Sequence, residues 1–383
     1  MNGHFPLMAE ATVAIADAAR YIPDIAGHLE SHGARASSQG EATVLDFDFC
    51  RGVLSPQEGS LHLRAEAADR SLLQEIKMEL AEHVVEFTGV SASDIVWTGD
   101  KSESGAPPNF RLMRVVSTRR ITPHMQRIRL AGENLLRFSG LGNIHCKLLV
   151  PPAGVEPEWP ALDAQGSFRW PGGPGKPSVR KYTIRSVDAQ AGTLDIDLVV
   201  HGDEGPGSAW AIAAKPGDLI GMVGPGGRGI RQAGWHLLAG DETALPAIAR
   251  ALENLSPDSR GVALIEVADS AEEQDIVLPQ GFELKWLHRN GAAAGTTTLL
   301  ADAVRSVAVP AGEERVFVWA GCEFSAFRDI RSHVRNVLKL GKEQHLVTSY
   351  WRRGISEDGA SRLDAVSTVV TKIGKRLGLP VGD

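Results

Sequence analysis

The sequence predicts a multidomain protein with a small N-terminal α+β domain, an antiparallel six-stranded Greek-key β-barrel, and an α/β domain built on a parallel sheet. Two observations lead to this fold class. The chain has 383 residues, more than one typical hydrophobic core accommodates. Its periodicity also changes twice, from mixed helices and strands to strands alone, and then to alternating strands and helices. These changes divide the chain into domains at 1–97, 110–232 and 233–383, with a linker at 98–109.

Composition and charge narrow the class of protein. Apolar residues make up 43% of the chain and charged residues 23%, which are globular values. The net charge of -7 argues against a general nucleic-acid binder, whose surface would be basic. No stretch approaches twenty apolar residues, and the N-terminus lacks the basic and apolar regions of an export signal. We therefore expect a cytoplasmic protein without membrane insertion.

Cysteine and histidine spacing indicates neither disulfide nor metal chemistry. Cys50, Cys146 and Cys322 form no Cys-x-x-Cys pair, so we expect three buried thiols. The twelve histidines form no His-Glu-x-x-His or comparable motif. No metal site built by the protein is predicted.

The N-terminal pattern predicts two helices around a β-hairpin. The predicted elements are a helix at 14–32, strands at 42–49 and 60–65, and a helix at 72–87. Pro23 marks a break or restart in the first helix. His28 and His83 lie on the two helical segments and could approach each other, but hydrogen-bonded structural histidines are the stronger expectation. No chemistry is assigned to this domain.

The central pattern predicts the barrel. Residues 98–109 are polar and rich in glycine and proline, as linkers are. Strands are predicted at 111–122, 125–131, 145–150, 180–185, 193–201 and 218–223. The irregular stretch 151–178 is expected to form a long surface loop. The many arginines of the first hairpin are interpreted as a solvated face, although a positive rim would also attract an anionic ligand.

The C-terminal pattern alternates strands with helices. Strands are predicted at 235–240, 261–267, 284–287 and 315–320, and helices at 244–255, 297–307, 324–340 and 363–377. This rhythm indicates a parallel sheet with helices on both faces, and such sheets bind ligands beyond the carboxyl ends of their strands. The Gly-x-Gly-x-x-Gly match at 224–229 does not open a helix, so we interpret it as the barrel's exit turn.

Two short stretches carry ligand-binding chemistry. Residues 180–185, Arg-Lys-Tyr-Thr-Ile-Arg, alternate like a strand and combine an aromatic ring, a hydroxyl and guanidinium groups, which suit a planar ring and a phosphate. A flavin nucleotide needs this combination, although an ordinary half-buried strand explains the six residues equally well. Residues 205–208 precede a short helix with Ser208 as a plausible N-cap, and the free amides there could hold a pyrophosphate.

Four motifs in this order resemble the signatures of the siderophore-interacting proteins, which are flavin-dependent ferric-siderophore reductases of the ferredoxin-reductase superfamily. The motifs are Arg-x-Tyr-Thr-x-Arg at 180–185, Gly-Pro-Gly-Ser-Ala-Trp-Ala at 205–211, Gly-Asp-Glu-Thr-Ala-Leu-Pro-Ala-Ile at 240–248 and Tyr-Trp-Arg-Arg-Gly at 350–354. The resemblance covers about 110–355. Residues 1–97 resemble an uncharacterised bacterial domain sometimes fused ahead of such proteins.

The resemblance implies FAD and NADPH or NADH as cofactors and assigns their contacts. Tyr182 is expected to stack on the isoalloxazine and Thr183 to lie near its N5, which makes these two the catalytic candidates. The cofactor-binding residues implied are Arg180, Tyr182, Thr183, Arg185, His201, Gly205, Gly207, Ser208, Asp241, Thr243 and Ala244. Lys147 and Arg352 are implied as contacts to an anionic siderophore. Gly207 stands where alanine is more usual in the family, and Arg289 is a weak indication of NADPH.

The implied reaction passes electrons from NAD(P)H through FAD to chelated Fe(III), so that Fe(II) is released in the cytoplasm. Flavin accepts two electrons as hydride and releases them singly, whereas ferric iron takes one. Oxygen donors favour Fe(III), so reduction loosens the chelate. Two alternatives stay open, a ferredoxin-reductase-like enzyme for another acceptor and a non-catalytic flavin- or siderophore-binding adaptor. The sequence leaves open the siderophore, the donor, which could also be ferredoxin, the role of 1–97 and the oligomeric state.

Overall fold

The computed structural model describes most of the chain. The described residues are 5–31, 34–47, 50–100, 106–162, 168–201, 205–310 and 315–356. The helix predicted at 363–377 and part of the predicted linker lie outside them. The described residues form two compact units, the first drawn from 1–114, 132–181 and 219–229, and the second from 115–131, 182–218 and 230–383.

The N-terminal module, within the first unit, is an antiparallel sheet with two helices. Its elements are β1 (Leu7–Ala14), α1 (Ile22–Ser31), β2 (Arg35–Gln39), β3 (Ala42–Asp46), β4 (Cys50–Gln57), β5 (Ser60–Ala67), α2 (Arg70–Thr88) and β6 (Thr98–Gly99). The strands pair in the order β2-β3-β4-β5-β1-β6. The α+β class is confirmed, but the predicted single hairpin is a six-stranded sheet.

The predicted helix at 14–32 is wrong over its first part. Ala14 ends the strand β1, which pairs with β5 along eight positions from Leu7↔Ala67 to Ala14↔Ser60, and Ala18–Arg20 form a separate 3₁₀ turn. Alanine is depleted in strands, so β1 gives a weak local signal and its pairing decides its conformation. The helix begins at Ile22, and Pro23 lies in its first turn, where a missing N–H costs no intrahelical hydrogen bond.

The helix α2 fastens the module's core. Asp69 caps its N-terminus by accepting a hydrogen bond of 2.9 Å from Leu72 N, and Gly89 ends it in a left-handed conformation. Leu73, Leu80 and Val84 along one face of α2 are fully buried. They join the alternating buried residues of β1 and β5 in one apolar cluster, which fixes the helix on the sheet.

The six barrel strands are confirmed. The elements from 110 to 226 are β7 (Phe110–Thr122), β8 (Met125–Ala131), β9 (His145–Val150), β10 (Ala161–Leu162), β11 (Phe168–Arg169), β12 (Ser178–Asp188), β13 (Thr193–Val199), α3 (Pro206–Ala213) and β14 (Leu219–Gly226). The closed barrel has the order β12-β13-β8-β7-β14-β9, and β10 pairs with β11 inside the predicted loop. Gly224 to Gly226 belong to β14, so the exit turn starts later than predicted.

Two arginines of the basic hairpin are neutralised within the barrel. Arg127 makes a bidentate pair with Asp197 at 2.6 and 2.7 Å, and Arg129 pairs with Asp195 at 2.8 Å through both nitrogens. The side-chain hydrogen bond from Asp197 raises the pKa of Arg127 despite its burial. These cross-strand pairs give part of the hairpin's charge a structural role.

The C-terminal domain, within the second unit, is the predicted parallel sheet, with five strands instead of the four that were predicted. Its elements are β15 (Trp235–Gly240), α4 (Leu245–Asn254), β16 (Arg260–Val267), β17 (Gly281–His288), α5 (Leu299–Ser306), β18 (Val316–Glu323), α6 (Phe324–Ser332) and β19 (His345–Trp351). The order is β17-β16-β15-β18-β19, with every pairing parallel. The edge strand β19 was not predicted, because it lacks the continuous buried run that marks β15 and β18.

The predicted helix at 324–340 is shorter in the structure. The helix α6 ends at Ser332, and a π-helical turn covers His333–Val337. Among the described residues, no helix has the length and apolar character needed to cross a bilayer.

Candidate functional site

The carboxylate of Asp241 organises the carboxyl edge of the parallel sheet. Asp241 follows β15, and its Oδ1 accepts hydrogen bonds from Thr243 N at 2.9 Å and Thr243 Oγ1 at 2.5 Å. Its Oδ2 accepts from Glu323 N at 3.0 Å and Trp351 Nε1 at 2.8 Å. One side chain therefore joins the ends of three strands, β15, β18 and β19.

Burial gives this carboxyl group an unusual affinity for a proton. Desolvation raises the pKa of Asp241 from 3.8 to about 6, and the nearby charge of Glu242 raises it further, whereas the hydrogen bonds from Thr243 and Trp351 oppose the rise. Asp241 is 5% exposed, so water contributes little to stabilising its charge. The group titrates close to neutral pH, as functional-site residues often do.

Close packing at the turn after β15 requires small residues. A Cβ added to Gly240 would lie 2.5 Å from the Cβ of Ala244 and 2.9 Å from the carbonyl oxygen of Gly321. Ala244 is fully buried and precedes α4. Thr243, in the same turn, donates a hydrogen bond from its hydroxyl to Asp241. The backbone at this turn is therefore closely packed, and the side chains of Asp241 and Thr243 are hydrogen-bonded to each other.

Helix α4 is attached to the strand β12 by two charged side chains. Arg250 Nη1, on a side chain that is almost fully buried, donates 2.7 Å to the carbonyl of Ile184. Arg185 donates through both terminal nitrogens to Glu253, at 2.5 and 2.6 Å. Its Nε lies 3.8 Å from Asp197 Oδ2. Arg185, which the resemblance implies as a cofactor contact, thus holds helix α4, which begins within the 240–248 motif.

Thr183 presents a buried hydroxyl that makes no hydrogen bond within the described part of the chain. It is 4% exposed. Tyr350 turns its side chain toward it, close enough to offset part of a pKa rise on the phenol but without the geometry of a hydrogen bond. That rise comes from burial first and from the charge of Asp241 second. A buried hydroxyl in this state is one that a ligand can satisfy.

The alternation predicted for β12 is only partly present. Tyr182 is half-buried, but Thr183, Ile184 and Arg185 are buried in succession. A register shift between Ile184 and Ser186 interrupts the pairing with β13, which bends the strand and re-aims its side chains. Both faces of the middle of β12 are therefore covered.

Tyr350 is fixed by its neighbours in the sheet. Its ring meets Trp319 edge to face, with centroids 6.1 Å apart and planes at 86°. A Cβ on Gly321 would lie 2.9 Å from the Tyr350 ring, so only glycine leaves room for it there. This brings the 350–354 motif and the 180–185 motif together at Thr183.

The segment 205–208 builds a helix start that differs from the prediction. The N-cap of α3 is Gly205, with φ of 87°, and Pro206 is the first helical residue. Ser208 lies inside the helix, where its Oγ accepts a 3.3 Å hydrogen bond from His201 N. Ser208 as the N-cap is therefore wrong, because Gly205 tolerates the left-handed conformation that the turn needs. The amides of Gly207 and Ser208 are left at the helix start.

Arg352 stands on an exposed turn after β19. Its guanidinium carbon lies 4.4 Å above the ring centre of Phe324, a cation–π contact. Glu323 steadies the turn by accepting from Arg353 N at 3.2 Å and from Ser325 N at 2.5 Å. Although burial raises the pKa of Glu323, these hydrogen bonds bring it below its ordinary value.

Two of the predicted site residues, Lys147 and Arg180, belong to the first unit. Lys147 is exposed on β9, where it pairs with Val223 of β14. Arg180 is half-buried on β12, and its Nη1 donates 2.6 Å to the carbonyl of Val179.

Three residues with clear roles in this region were missed from the sequence. Glu272, 2% exposed, accepts from Thr122 Oγ1 at 2.6 Å and from His124 N at 2.9 Å, which fastens the β7–β8 turn. Arg250 and Glu253 fasten α4. The sequence feature that could have identified them is a charged residue within an otherwise apolar helix or loop. Charged side chains are rarely buried unless they are paired.

Arg289 is committed to carboxylates. It follows β17, is buried, donates from Nη2 to Glu242 and lies 3.6 Å through Nη1 from Glu266 Oε1. Burial lowers the pKa of Arg289, but Glu242 and Glu266 more than offset that effect. To bind a ribose phosphate, the Arg289 guanidinium would have to exchange its contacts with Glu242 and Glu266 for contacts with the phosphate.

The chemistry of this region suits a flavin nucleotide. The unsatisfied Thr183 hydroxyl provides a hydrogen-bonding group, and the half-buried Tyr182 beside it provides a ring. Gly205 at the start of α3 is exposed, and a helix N-terminus supplies amide donors for a phosphate. The residues present therefore fit FAD.

Comparison with known proteins identifies three matching segments. Residues 233–354 match the family described as siderophore-interacting protein, and 114–229 match the siderophore-interacting FAD-binding domain. Residues 10–98 match a domain described only as uncharacterised and conserved in bacteria.

Individual relatives agree with these matches. The chain is 33% identical over 251 residues to the ferric vibriobactin reductase ViuB of Vibrio cholerae, covering 65% of this chain and 91% of that protein. It is 35% identical over 184 residues to the NADPH-dependent ferric-chelate reductase of Escherichia coli, covering 46% and 71%. A solved siderophore utilization protein from T. fusca is 43% identical with a TM-score of 0.59, covering 64% and 94%.

Proposed function

The chain belongs to the siderophore-interacting protein family, and from this we propose that it is a flavin-dependent ferric-siderophore reductase that passes electrons from NAD(P)H through FAD to chelated Fe(III). One structural observation carries the proposal. In a single compact unit, the buried Thr183 hydroxyl of β12 faces Tyr350, and Tyr350 lies beside the Asp241 edge of the parallel sheet. The strand that suits a flavin thus adjoins the edge where parallel sheets bind nucleotides.

The cofactor contacts are part of this proposal. Tyr182 would supply a stacking ring, Thr183 a hydroxyl for hydrogen bonding to the isoalloxazine, and the amides of Gly207 and Ser208 donors for the pyrophosphate. Gly205, with a positive φ, shapes the turn at which this helix begins. Arg180 supplies a positive charge for the phosphate. When bound, FAD can accept two electrons as a hydride and release them one at a time, and ferric iron takes one electron.

The remaining residues hold and shelter this arrangement. Arg185 and Arg250 fix α4 against β12, so that the strand keeps its position when ligands come and go. The buried run from Thr183 to Arg185 keeps water from the middle of β12. Asp241 holds the carboxyl edge of the sheet, where the nucleotide is proposed to bind, through Thr243, Glu323 and Trp351. It does not act as a nucleophile or general base, since electron transfer requires neither.

The substrate is a ferric siderophore, and cations on the chain suit an anionic one. Arg352 is exposed and held in place by Phe324 and by the Glu323-anchored turn, so its charge is presented at low entropic cost. Lys147 is a second exposed cation, on β9. The Fe(II) produced leaves the chelator in the cytoplasm because oxygen donors hold it less well than Fe(III). Reduced ferredoxin is an alternative electron donor.

An anaerobic experiment tests the proposal. The purified chain is loaded with FAD, mixed with NADPH or NADH, and then given a ferric catecholate in the presence of a chromogenic Fe(II) chelator. We expect the yellow colour to bleach with the donor and to return as Fe(II) appears. Bleaching without reoxidation by the chelate would indicate another acceptor. Failure to bind FAD would overturn the proposal.

A further inference from the structure

The N-terminal module contains a cluster of metal-binding groups that the reductase chemistry does not use. His28 lies on α1, and His83 and Glu86 lie on α2. One ligand atom from each, a ring nitrogen or a carboxylate oxygen, lies within 4.8 Å of the other two. All three belong to the first unit.

The two helices hold this cluster on a rigid base. Ile25 and Leu29 of α1 and Leu80 and Val84 of α2 are fully buried in the same apolar core. The imidazole rings of His28 and His83 have centroids 5.0 Å apart and are tilted by 59°. Ligands mounted on packed helices need little ordering when an ion binds, which favours affinity.

The orientation of His83 suits a metal ligand. Its Nδ1 lies 2.6 Å from the carbonyl oxygen of Glu79. A carbonyl only accepts hydrogen bonds, so Nδ1 carries the proton and Nε2 carries the lone pair. Histidines that bind metals commonly donate their other ring nitrogen in this way, which fixes the tautomer and the direction of the ring.

The geometry lies close to what one ion requires. Zinc–nitrogen distances are about 2.0–2.1 Å, so two ligands of one tetrahedral ion lie roughly 3.4 Å apart. The three ligand atoms lie within 4.8 Å of one another, so the widest pair must close by up to roughly 1.5 Å when an ion binds. Glu86 is exposed and His28 half-buried, so both side chains have room to move toward the buried His83. The exposed side leaves coordination positions for water.

We propose that His28, His83 and Glu86 bind a divalent transition-metal ion, and that its occupant is Fe(II). Two imidazoles and one carboxylate suit Fe(II) or Zn(II), whereas Fe(III) prefers sites made of oxygen donors alone. The choice of Fe(II) rests on the proposed reductase function, because that reaction supplies the ion. The module then receives the product of the reductase without any further redox step.

The first part of the test is a metal titration that involves no flavin, donor or siderophore. Tag-free full-length protein is titrated anaerobically with Co(II), which reports its coordination by visible absorption, and separately with Fe(II) salt in competition with a chromogenic chelator. We expect one saturable equivalent of each ion. Glu86→Gln and His28→Gln should each weaken binding by at least about tenfold. The control His62→Gln changes a half-buried histidine of β5 in the same module and should bind like the wild type.

Each result decides a part of the proposal. Absence of saturable Co(II) binding, or wild-type affinity in Glu86→Gln and His28→Gln, would overturn the site. Binding of Co(II) without retention of Fe(II) would overturn Fe(II) as the occupant. Both substitutions lie at half-buried or exposed positions, so we expect the variants to fold. Circular dichroism verifies this. Because the ions are supplied as salts, an inactive reductase leaves these results unchanged.

Discussion

The indole nitrogen of Trp351 donates a 2.8 Å hydrogen bond to Asp241 Oδ2, which connects residues 110 positions apart. Trp351 ends the edge strand β19, and Asp241 follows the central strand β15, so the bond crosses the intervening strand β18. Asp241 takes a further bond from the backbone of Glu323 at the end of that strand. The carboxyl edge of the sheet is therefore held by one buried acid.

Replacing Trp351 by phenylalanine removes the donor and keeps a ring. A hydrogen bond to a charged group is worth about 1.5–3 kcal/mol, and we expect Trp351→Phe to lower the free energy of unfolding by about 2 kcal/mol. Loss of this donor should also raise the pKa of Asp241 further. Denaturant titration measures the first effect. Trp286→Phe on the opposite edge strand β17 is the control, and equal losses in both variants would contradict the role assigned to Trp351.

The raised pKa of Asp241 predicts a particular dependence of stability on pH. Because the folded pKa is about 6 rather than 3.8, the folded chain binds the proton more tightly than the unfolded chain between these values. The contribution of Asp241 to stability is therefore fully present below about pH 4 and is lost as the pH rises through 6. The difference between a pKa of 3.8 and one of about 6 corresponds to roughly 3 kcal/mol of stability.

The comparison that isolates this effect is wild type against Asp241→Asn, which does not titrate. Urea unfolding over about pH 4 to 7 should show the stability advantage of the wild type shrinking by up to roughly 3 kcal/mol. A difference between the two proteins that stays constant with pH would mean that Asp241 is not the titrating group.

Tyr182→Ala should weaken FAD binding. A stacked aromatic pair is worth about 0.5–1.5 kcal/mol beyond its buried area, so we expect the dissociation constant for FAD to rise roughly two- to tenfold. Fluorescence titration of the apoprotein with FAD measures it. Tyr182→Phe keeps the ring and should bind like the wild type. Unchanged affinity in the alanine variant would remove Tyr182 from the cofactor site.

Glu253→Gln should loosen α4 from β12. Arg185 is 8% exposed and loses the carboxylate that binds both of its terminal nitrogens. Breaking a buried pair costs about 3–5 kcal/mol, and because Glu253 is partly exposed we expect about 2 kcal/mol. Glu343→Gln is the control, since Glu343 pairs with Arg231 on the surface, where ion pairs contribute about 0–1 kcal/mol. Similar losses in both variants would show that the Arg185 pair has no special role.

Much of the fold was predictable because it rests on local patterns. The strands at 125–131, 145–150 and 235–240 were predicted with the bounds that the structure has. Their apolar residues alternate or run continuously, and polar turns bound them, so few alternative conformations compete. The motif at 180–185 likewise indicated a ligand-binding strand, since its residue types carry the chemistry wherever the strand lies. Family membership followed from four such motifs in order.

Relationships between distant residues were decided by the tertiary structure. The strand β1 is defined by its partner β5, the four hydrogen bonds of Asp241 come from three separate segments, and Arg250 reaches Ile184 across 66 positions. His28 and His83 show no metal-binding spacing because the ligands come from two helices. The sequence by itself determined the barrel strands, four of the five strands of the parallel sheet, the family and the chemistry of the motifs, because these depend on neighbours along the chain. Only the tertiary structure decided which buried charges pair and which acid titrates near neutral pH, because those properties depend on neighbours in space.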